Sequence, residues 1–466
     1  MSDAFVFFGA TGDLAYKQIF PSLQDLIRDE GFNLPIIGVA KAGWNLDQLK
    51  ERAKDSLENH GGLEQAPFEK MCSLLRYVDG DYADDKTFTE LRKQLGNAKA
   101  QLHYLAVPPS LFEAVAAGLA KSGCATNARV VIEKPFGHNL PTAQELNRTL
   151  HKYFPEENIY RIDHYLGKEP VQNILYTRFA NPIFEPIWNR EYVRSIQITM
   201  AESFGVSDRG KFYDETGALR DVVQNHMLQV LGNLTMDPPT GEDHEAERDS
   251  KAALLKAVVP LKPENVVRGQ YSGYKKVPGV APGSTVETFI AIKLYIDSWR
   301  WAGVPIYIRA GKLMPVTCME AIVEFKRPPR ETFQEVVPLR SSHMRMRVSP
   351  DISIGLGVRI KVPGERMVGQ DLELNLKSHA TDEMPPYQRL LGDAMRGNGE
   401  LFARQDLVEA QWRVVQPILD NVTPVYVYEP GTWGPDEAMQ LIGVDGPWID
   451  PKPAQEDFRS QAASKT

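Results

Sequence analysis

Phe5-Val6-Phe7-Phe8-Gly9-Ala10-Thr11-Gly12-Asp13-Leu14-Ala15 runs from a short apolar stretch through a glycine-bearing turn into the opening of a helix. The apolar stretch has the length of a buried strand. Gly9 permits a tight turn, Gly12 lets the backbone approach a ligand closely, and Ala15 takes the small-residue position where helix packs on strand. A pyrophosphate set there meets unpaired N–H groups and the positive end of the helix dipole, with Thr11, Asp13 and Leu14 lining the turn. The same pattern also makes a plain strand-to-helix corner, so the glycines by themselves leave both readings open.

The rhythm that follows decides for the wider fold. Residues 36–40, 102–107 and 130–132 are further short apolar runs, and they alternate with helix-period segments such as Ile19, Leu23, Leu26 and Ile27, then residues 46–57. Buried strands followed by amphipathic helices predict a Rossmann-like α/β domain with a doubly wound parallel sheet over residues 1–165. Beyond Lys168 the pattern changes. Ile196, Ile198 and Met200 alternate with Gln197 and Thr199, and strand-like runs recur at 286–296, 321–325, 352–362 and 372–376. Alternation predicts a larger α+β domain over residues 166–466, built on a mostly antiparallel sheet. Helices at 218–231 and 400–419 are expected to cover one of its faces. The polar stretch 241–249 reads as a loop or helix start, and the tail after Pro451 is expected to fray.

A chain of 466 residues, 24% charged, is long enough for two cores and has the composition of a soluble globular protein. A formal charge of -8 argues against a general nucleic-acid binder, while leaving room for a local basic pocket. Cys72, Cys124 and Cys318 form no CxxC pair and no metal-ligand cluster, which fits a reducing cytoplasm and no bound metal. The apolar run before Gly9 is short and soon followed by Asp13, so it does not read as a secretory leader, and no stretch is long enough to span a membrane.

Candidate site residues cluster near strand ends. After the second apolar run comes Lys41, where NAD-specific folds usually carry an acidic ribose ligand; a cation there suits a 2′-phosphate and favours NADP, with NAD possible. Glu133-Lys134-Pro135-Phe136-Gly137 closes a strand of the first domain, at the edge where open parallel sheets bind ligands. Arg161-Ile162-Asp163-His164-Tyr165-Leu166-Gly167-Lys168-Glu169 packs an acid, an imidazole, a phenol and an ammonium together. On a helix His164 and Lys168 would share one face and suit an anion, while a capped, solvated helix start is the plainer alternative. Glu202 stands alone after one run, and Asp221 and His226 lie five apart on one predicted helix, where they would diverge. An imidazole oriented by a carboxylate is a suitable base near neutral pH, which directs attention to His226 and Asp163.

Taken in order, GATGDLA, EKPFG, RIDHYLGKE, RFANPIFEPIWNR, DETGALRDVVQNH and RWAGVPIYIRAGK resemble the glucose-6-phosphate dehydrogenase family over nearly the whole chain. The resemblance implies oxidation of glucose 6-phosphate at C1, with hydride passing to NADP. It matches His226 to the general base and Asp163 to its paired carboxylate. His164, Tyr165 and Lys168 match a clamp on the substrate phosphate. Lys134 matches a lysine touching substrate and cofactor, Pro135 its neighbour at the nicotinamide, and Glu202, Asp221 and Lys312 match contacts to the sugar. It also implies a homodimer or homotetramer built through the large sheet of the second domain. A catalytically dead homologue would be expected to lose the base or the clamp, and both are present.

Family positions differ at Gln18, where a lysine is usual, at Thr317, where a second lysine or arginine is usual, and at Lys41, where an arginine is usual. The first two remove positive charge near the substrate, so weaker binding or a wider range of sugar phosphates is expected. Lysine lacks the planar fork of arginine, so a softened preference for NADP over NAD is expected as well.

Overall fold

Every residue of the first apolar run, Ala4–Phe8, is buried, which requires that its sheet be covered on both faces. The computed structural model of the protein describes residues 1–330, 332–333, 341–377 and 384–453; the expected fraying of the tail concerns residues that, beyond Pro453, lie outside these. In chain order the strands are β1 (Ala4–Phe8), β2 (Ile36–Ala40), β3 (Leu75–Asp79), β4 (Gln101–Leu105), β5 (Arg129–Glu133), β6 (Ile159–Ile162), β7 (Val193–Ala201) and β8 (Val266–Tyr271). They continue as β9 (Phe289–Leu294), β10 (Ile306–Gly311), β11 (Cys318–Phe325), β12 (His343–Ser349), β13 (Ser353–Lys361), β14 (Gly369–Lys377), β15 (Phe402–Ala403) and β16 (Val425–Tyr428).

Two compact units divide the described residues. The first comprises those within Met1–Glu169, Pro238–Ala252 and Asp382–Trp412, and the second those within Pro170–Asp237, Ala253–Thr381 and Arg413–Thr466. The chain therefore crosses between units several times, which a single boundary near residue 165 does not convey.

The first unit holds a sheet ordered β15-β6-β5-β4-β1-β2-β3. Its neighbours are parallel from β6 through β3, and only the two-residue β15 runs antiparallel, pairing Phe402 with Ile162. This is the doubly wound order, with its switch point between β1 and β4. Alternation along β1 sends Phe5 and Phe7 into one core, with Phe20, Leu23, Leu49, Leu390 and Leu391, and sends Val6 and Phe8 into the other, with Phe88, Leu91, Val115 and Leu119. The second returning segment explains itself by packing. Helix Pro386–Arg396 adds Leu390, Leu391, Ala394 and Met395 to the first of these cores.

The second unit holds a sheet ordered β14-β13-β12-β11-β7-β10-β9-β8-β16. Its neighbours are antiparallel except for β7 with β10 and β8 with β16. Tyr213, Tyr271, Tyr274, Phe289, Tyr307 and Trp448 anchor a core on it, with Ala438 and Ile442 from helix Glu437–Ile442. The helix expected over 400–419 is a correction: Phe402–Ala403 is a strand of the first sheet, and the helix spans Gln405–Val415. As far as Trp412 it belongs to the first unit, not to the cover of the antiparallel sheet. Its amphipathic period was legible, but an apolar face does not say which sheet it meets. The segment 241–249 does open a helix, His244–Ala257.

Candidate active site

In the first unit the glycine turn stands at the carboxyl end of β1. Gly9 has φ 76°, and a Cβ there would lie 2.1 Å from the Ala106 carbonyl oxygen just past β4, so only glycine fits the switch point. Gly12 donates its N–H to the Gly9 carbonyl at 2.9 Å, and a π-helical turn, Ala15–Ile19, then leads into helix Phe20–Glu30. Gly12 and Asp13 are exposed, Thr11 and Leu14 half-buried, and Ala15 buried against the sheet. N–H groups of a first helical turn lack carbonyl partners of their own. This cradle, which a side chain at Gly9 would destroy, fits the pyrophosphate of a dinucleotide. Tyr82 was not singled out by the sequence. Its hydroxyl accepts the Gly9 N–H at 3.0 Å and donates to the Val39 carbonyl at 3.2 Å, pinning the turn to the end of β2.

Lys41 follows β2 and its ammonium lies 2.6 Å from Asp81 Oδ2, with both side chains exposed. The Asp81 carboxylate pushes the Lys41 ammonium up from its ordinary range. Lys17 pairs with Asp13 at 3.7 Å on the helix surface. Gln18 is half-buried in the π-helical turn.

Lys134 and Pro135 leave the carboxyl end of β5 through a cis peptide bond. Just before them, Glu133 accepts a short hydrogen bond from the Tyr104 phenol and another from Tyr387. Dense surroundings push its carboxyl up to about 7, against the pull of the two phenols and the Lys134 ammonium. The phenols are pushed up in turn by burial.

The segment that carries the phosphate-clamp residues corrects the helical reading. Residues 164–167 form a turn between β6 and helix Glu169–Ala180, so the spacing of His164 and Lys168 does not place them on one helical face. The turn achieves the juxtaposition otherwise. Asp163 is buried and its Oδ1 accepts the Tyr165 N–H at 3.0 Å, and its carbonyl accepts the Leu166 N–H at 2.9 Å. The Lys168 ammonium sits 3.9 Å over the Tyr165 ring, and the His164 ring meets that ring edge-on at 5.1 Å. Behind the turn, fully buried Arg161 bonds Glu156 at 2.7 Å and Asn147 at 2.8 Å. Lys251, buried and paired with Glu247 at 3.3 Å, also feels the Asp163 charge; burial draws its ammonium down.

In the second unit, register builds the site. β7 and β10 are parallel with Ala201 opposite Gly311, so the next residues, Glu202 and Lys312, leave the sheet side by side. The Lys312 ammonium lies 2.5 Å from Glu202 Oε2, with the Phe204 ring at 5.1 Å and the Tyr213 ring at 5.5 Å. β11 brings Cys318 opposite Ala201, which puts Thr317 at the same end. Thr317 Oγ1 accepts the Ser203 N–H at 3.0 Å and hydrogen-bonds the Ser203 hydroxyl at 2.8 Å.

Asp221 and His226 lie on Leu219–Met227, a π-helical segment between helices Gly210–Ala218 and Leu228–Thr235. The Leu228 N–H reaches the Val223 carbonyl, five residues back. In such a segment residues five apart are successive rungs, so the two side chains do not diverge as they would on an α-helix. Gly217, with φ 65°, makes the kink into this segment, and a Cβ on it would lie 2.4 Å from Glu287 Oε1. Glu287, which the sequence did not flag, accepts the Leu219 N–H at 3.0 Å and is held by Arg268 at 3.0 Å. His226 is buried, and Tyr213 is pushed well above the usual phenol range by burial and then by the charges of Asp221 and Glu202. Glu202, Asp221 and Lys312 thus form one polar cluster around a tyrosine.

Comparison with known proteins divides the chain once, near residue 174, with Pro238–Ala252 and Asp382–Trp412 falling inside the C-terminal match. Residues 6–173 match the family model described as glucose-6-phosphate dehydrogenase, NAD binding domain, and residues 175–449 match its C-terminal domain. The chain is 42% identical over 457 residues to glucose-6-phosphate 1-dehydrogenase 1 of Mycobacterium bovis, covering 96% of this chain and 97% of that one. Among solved structures it resembles glucose-6-phosphate 1-dehydrogenase from Mycobacterium avium, with TM-score 0.92, 42% identity, and 97% and 99% of the two chains covered. A glucose-6-phosphate dehydrogenase in complex with its substrate is similar at TM-score 0.89 and 33% identity, with 97% and 99% covered.

Proposed function

The chain belongs to the glucose-6-phosphate dehydrogenase family, and from that premise we propose which of its residues carry the reaction and which nicotinamide they favour. It oxidises β-D-glucose 6-phosphate at C1 to 6-phosphoglucono-1,5-lactone, the first step of the oxidative pentose phosphate pathway. A nicotinamide dinucleotide supplies the hydride acceptor. A C1 hydroxyl is a poor hydride donor until its proton leaves. His226 takes that proton, and the C1–O bond gains its second bond as the C1–H electron pair departs. Asp163 is the carboxylate that the family resemblance pairs with His226, stabilising the imidazolium that forms.

His164, Tyr165 and Lys168 hold the substrate phosphate, because a dianion needs several donors converging on it. Asp163 supports them by fixing the turn through the Tyr165 N–H. Glu202, Asp221 and Lys312 hold the sugar hydroxyls, where carboxylates accept and the ammonium donates. The observation that carries this sugar site is the register of β7 on β10, which delivers Glu202 and Lys312 together from residues more than a hundred apart. Gly9, Thr11, Gly12, Asp13 and Leu14 take the pyrophosphate, Lys134 and Pro135 border the nicotinamide end, and Lys41 takes the 2′-phosphate of NADP.

NADP is the favoured cofactor, with NAD accepted. A cytoplasmic enzyme fits the free cysteines, and no helix among the described residues is long and apolar enough to cross a membrane. A homodimer or homotetramer is supported by the outer strand β14, whose Leu372, Leu374 and Leu376 are 42%, 59% and 72% exposed. Initial rates with NADP and NAD, each against glucose 6-phosphate and other sugar phosphates, test the reading. Glucose 6-phosphate with NADP should give the highest kcat/KM, and His226→Asn should abolish turnover while calorimetry still registers substrate binding. Substrate binding lost together with turnover would remove the assignment of His226 as base.

A further inference from the structure

Lys41 and Asp81 come from adjacent strands at one sheet edge. β2 and β3 are parallel with Ala40 opposite Asp79, and just beyond them the ammonium and carboxylate meet at 2.6 Å. The surrounding loops are fixed without this pair. Asp79 accepts the N–H groups of Ala42 at 3.0 Å and Gly43 at 2.8 Å, and the Gly80 N–H donates to the Ala40 carbonyl at 2.9 Å. Asp81 Oδ1 is engaged separately, accepting the Ala83 N–H at 2.9 Å. Its neighbour Tyr82 ties the same loop to Gly9. The pair is thus free to serve a ligand lying along the carboxyl edge from the glycine turn to the end of β2, and it is exposed there, at 70% and 45%.

In dinucleotide folds an acidic residue after the second strand accepts the ribose 2′-hydroxyl of NAD, whereas a cation receives the 2′-phosphate of NADP. This chain has the cation after β2 and supplies a carboxylate from the loop after β3. A 2′-phosphate approaching Lys41 meets an ammonium already neutralised by Asp81 and a like charge beside it. A 2′-hydroxyl meets an acceptor and a donor together. We infer that Asp81 sets the nicotinamide preference of this enzyme: it accepts the ribose hydroxyl of NAD and competes with the 2′-phosphate of NADP for Lys41. The inference rests on the assignment of Lys41 to the adenosine ribose made above.

Dissociation constants of NADP and NAD, measured by titration calorimetry on the full-length enzyme at low ionic strength, test it with three variants. Asp81→Asn removes the charge and keeps an oxygen for the Ala83 N–H; NADP should bind about 5-fold tighter, as one exposed like charge is removed, and NAD about 3-fold weaker, as a charge-assisted hydrogen bond to its ribose becomes a neutral one. Asp81→Glu retains the charge and should stay within about twofold of wild type for both cofactors. Lys41→Gln should weaken NADP about tenfold and leave NAD within about twofold. An Asp81→Asn enzyme with both constants unchanged, beside a Lys41→Gln enzyme that loses NADP, overturns the role of Asp81 and leaves the Lys41 assignment standing. NADP binding unchanged in Lys41→Gln overturns both. Matching thermal melting curves for all four proteins ensure that the constants report on folded enzyme.

Discussion

Glu133, at the carboxyl end of β5, and Glu373, in β14, are the same residue type shifted in opposite directions from the ordinary carboxylate range. Glu133 is pushed up to about 7 by its dense surroundings, and its partners are phenols, which can donate but bring no positive charge. Glu373 is held at about 2, first by its hydrogen bond to His343 at 2.8 Å and then by Arg345. Glu320 in β11 has the same kind of company, taking Arg347 at 2.9 Å and a short bond from Arg345. The difference lies in the partners. Where the parallel sheet ends, carboxylates sit among neutral donors and single lysines, so their charge can respond to a ligand. Within β11 to β14, Glu320 and Glu373 are locked by arginines, a structural arrangement that holds strands together.

Variants of residues assigned to the chemistry should change rate, and variants of the cation-locked acids should change stability. His226→Asn gives the largest effect: kcat should fall by about 10³-fold or more, as expected for loss of a general base, with the thermal midpoint moved little. Glu320→Ala comes next. Arg345 would be left with Glu373 alone and Arg347 with only the Lys452 carbonyl, and removing one side of a buried pair costs about 3–5 kcal/mol. Denaturant unfolding should register that loss while kcat per folded enzyme stays at the wild-type value. A Glu320→Ala enzyme that is stable but slow would erase the distinction.

The two glutamates also predict opposite pH dependences. A carboxyl raised to about 7 in the folded state binds a proton that the unfolded chain has already released, so Glu133 favours folding below about pH 4.5 and that contribution disappears as pH rises through about 7. For Glu373, held at about 2, the contribution is present above about pH 4.5 and is lost as pH falls toward 2. Each is worth about 2 kcal/mol after allowance for solvent screening. Stability measured from pH 3 to 8 should therefore lose part of its decline above pH 5 in Glu133→Gln, and part of its acid sensitivity in Glu373→Gln. Identical profiles in both variants would mean that the local partners do not govern these charges.

What the sequence revealed of this architecture follows the same line. β1, β2 and β5 were legible because unbroken apolar runs mean burial on both faces, and β4 because its run from Leu102 is broken only by His103. β6 was not, since Arg161 interrupts Ile159–Ile162 and is buried with its two terminal nitrogens held by Glu156 and Asn147. β12 was hidden for the same reason, with Arg345 and Arg347 alternating with Met344 and Met346 in a strand whose charges are absorbed by β11 and β14. Chemical types at the candidate site could be read directly, from Lys41 to His226. Their placement could not: the turn at 164–167 replaced the expected helix face, and the π-helical segment reduced the expected divergence of Asp221 and His226. Both depend on backbone hydrogen bonds that no side-chain period encodes. Tyr82 and Glu287 were missed because each acts on a backbone N–H distant in sequence.

Thr317 gives the smallest expected effect, and it tests whether the end of the antiparallel sheet behaves as site or as scaffold. Charge alone predicts that Thr317→Lys strengthens binding of glucose 6-phosphate, because a second ammonium would stand near Lys312 at the end where Glu202 leaves β7. The threonine, however, holds the Ser203 N–H at 3.0 Å and the Ser203 hydroxyl at 2.8 Å, and this loop follows Glu202 directly. Lysine would release both bonds, a cost of about 1 kcal/mol at an exposed position, while adding a gain of similar size if its ammonium meets the substrate. The two nearly cancel in free energy but separate in kinetics. A looser Glu202 should lower kcat by about 2- to 3-fold, and the added charge should lower KM by about the same factor, leaving kcat/KM close to wild type. The companion Thr317→Val, which loses the bonds without adding charge, should lower kcat alone. Unchanged KM in Thr317→Lys would remove the argument that the missing cation weakens substrate binding, and unchanged kcat in Thr317→Val would assign Thr317 to the scaffold.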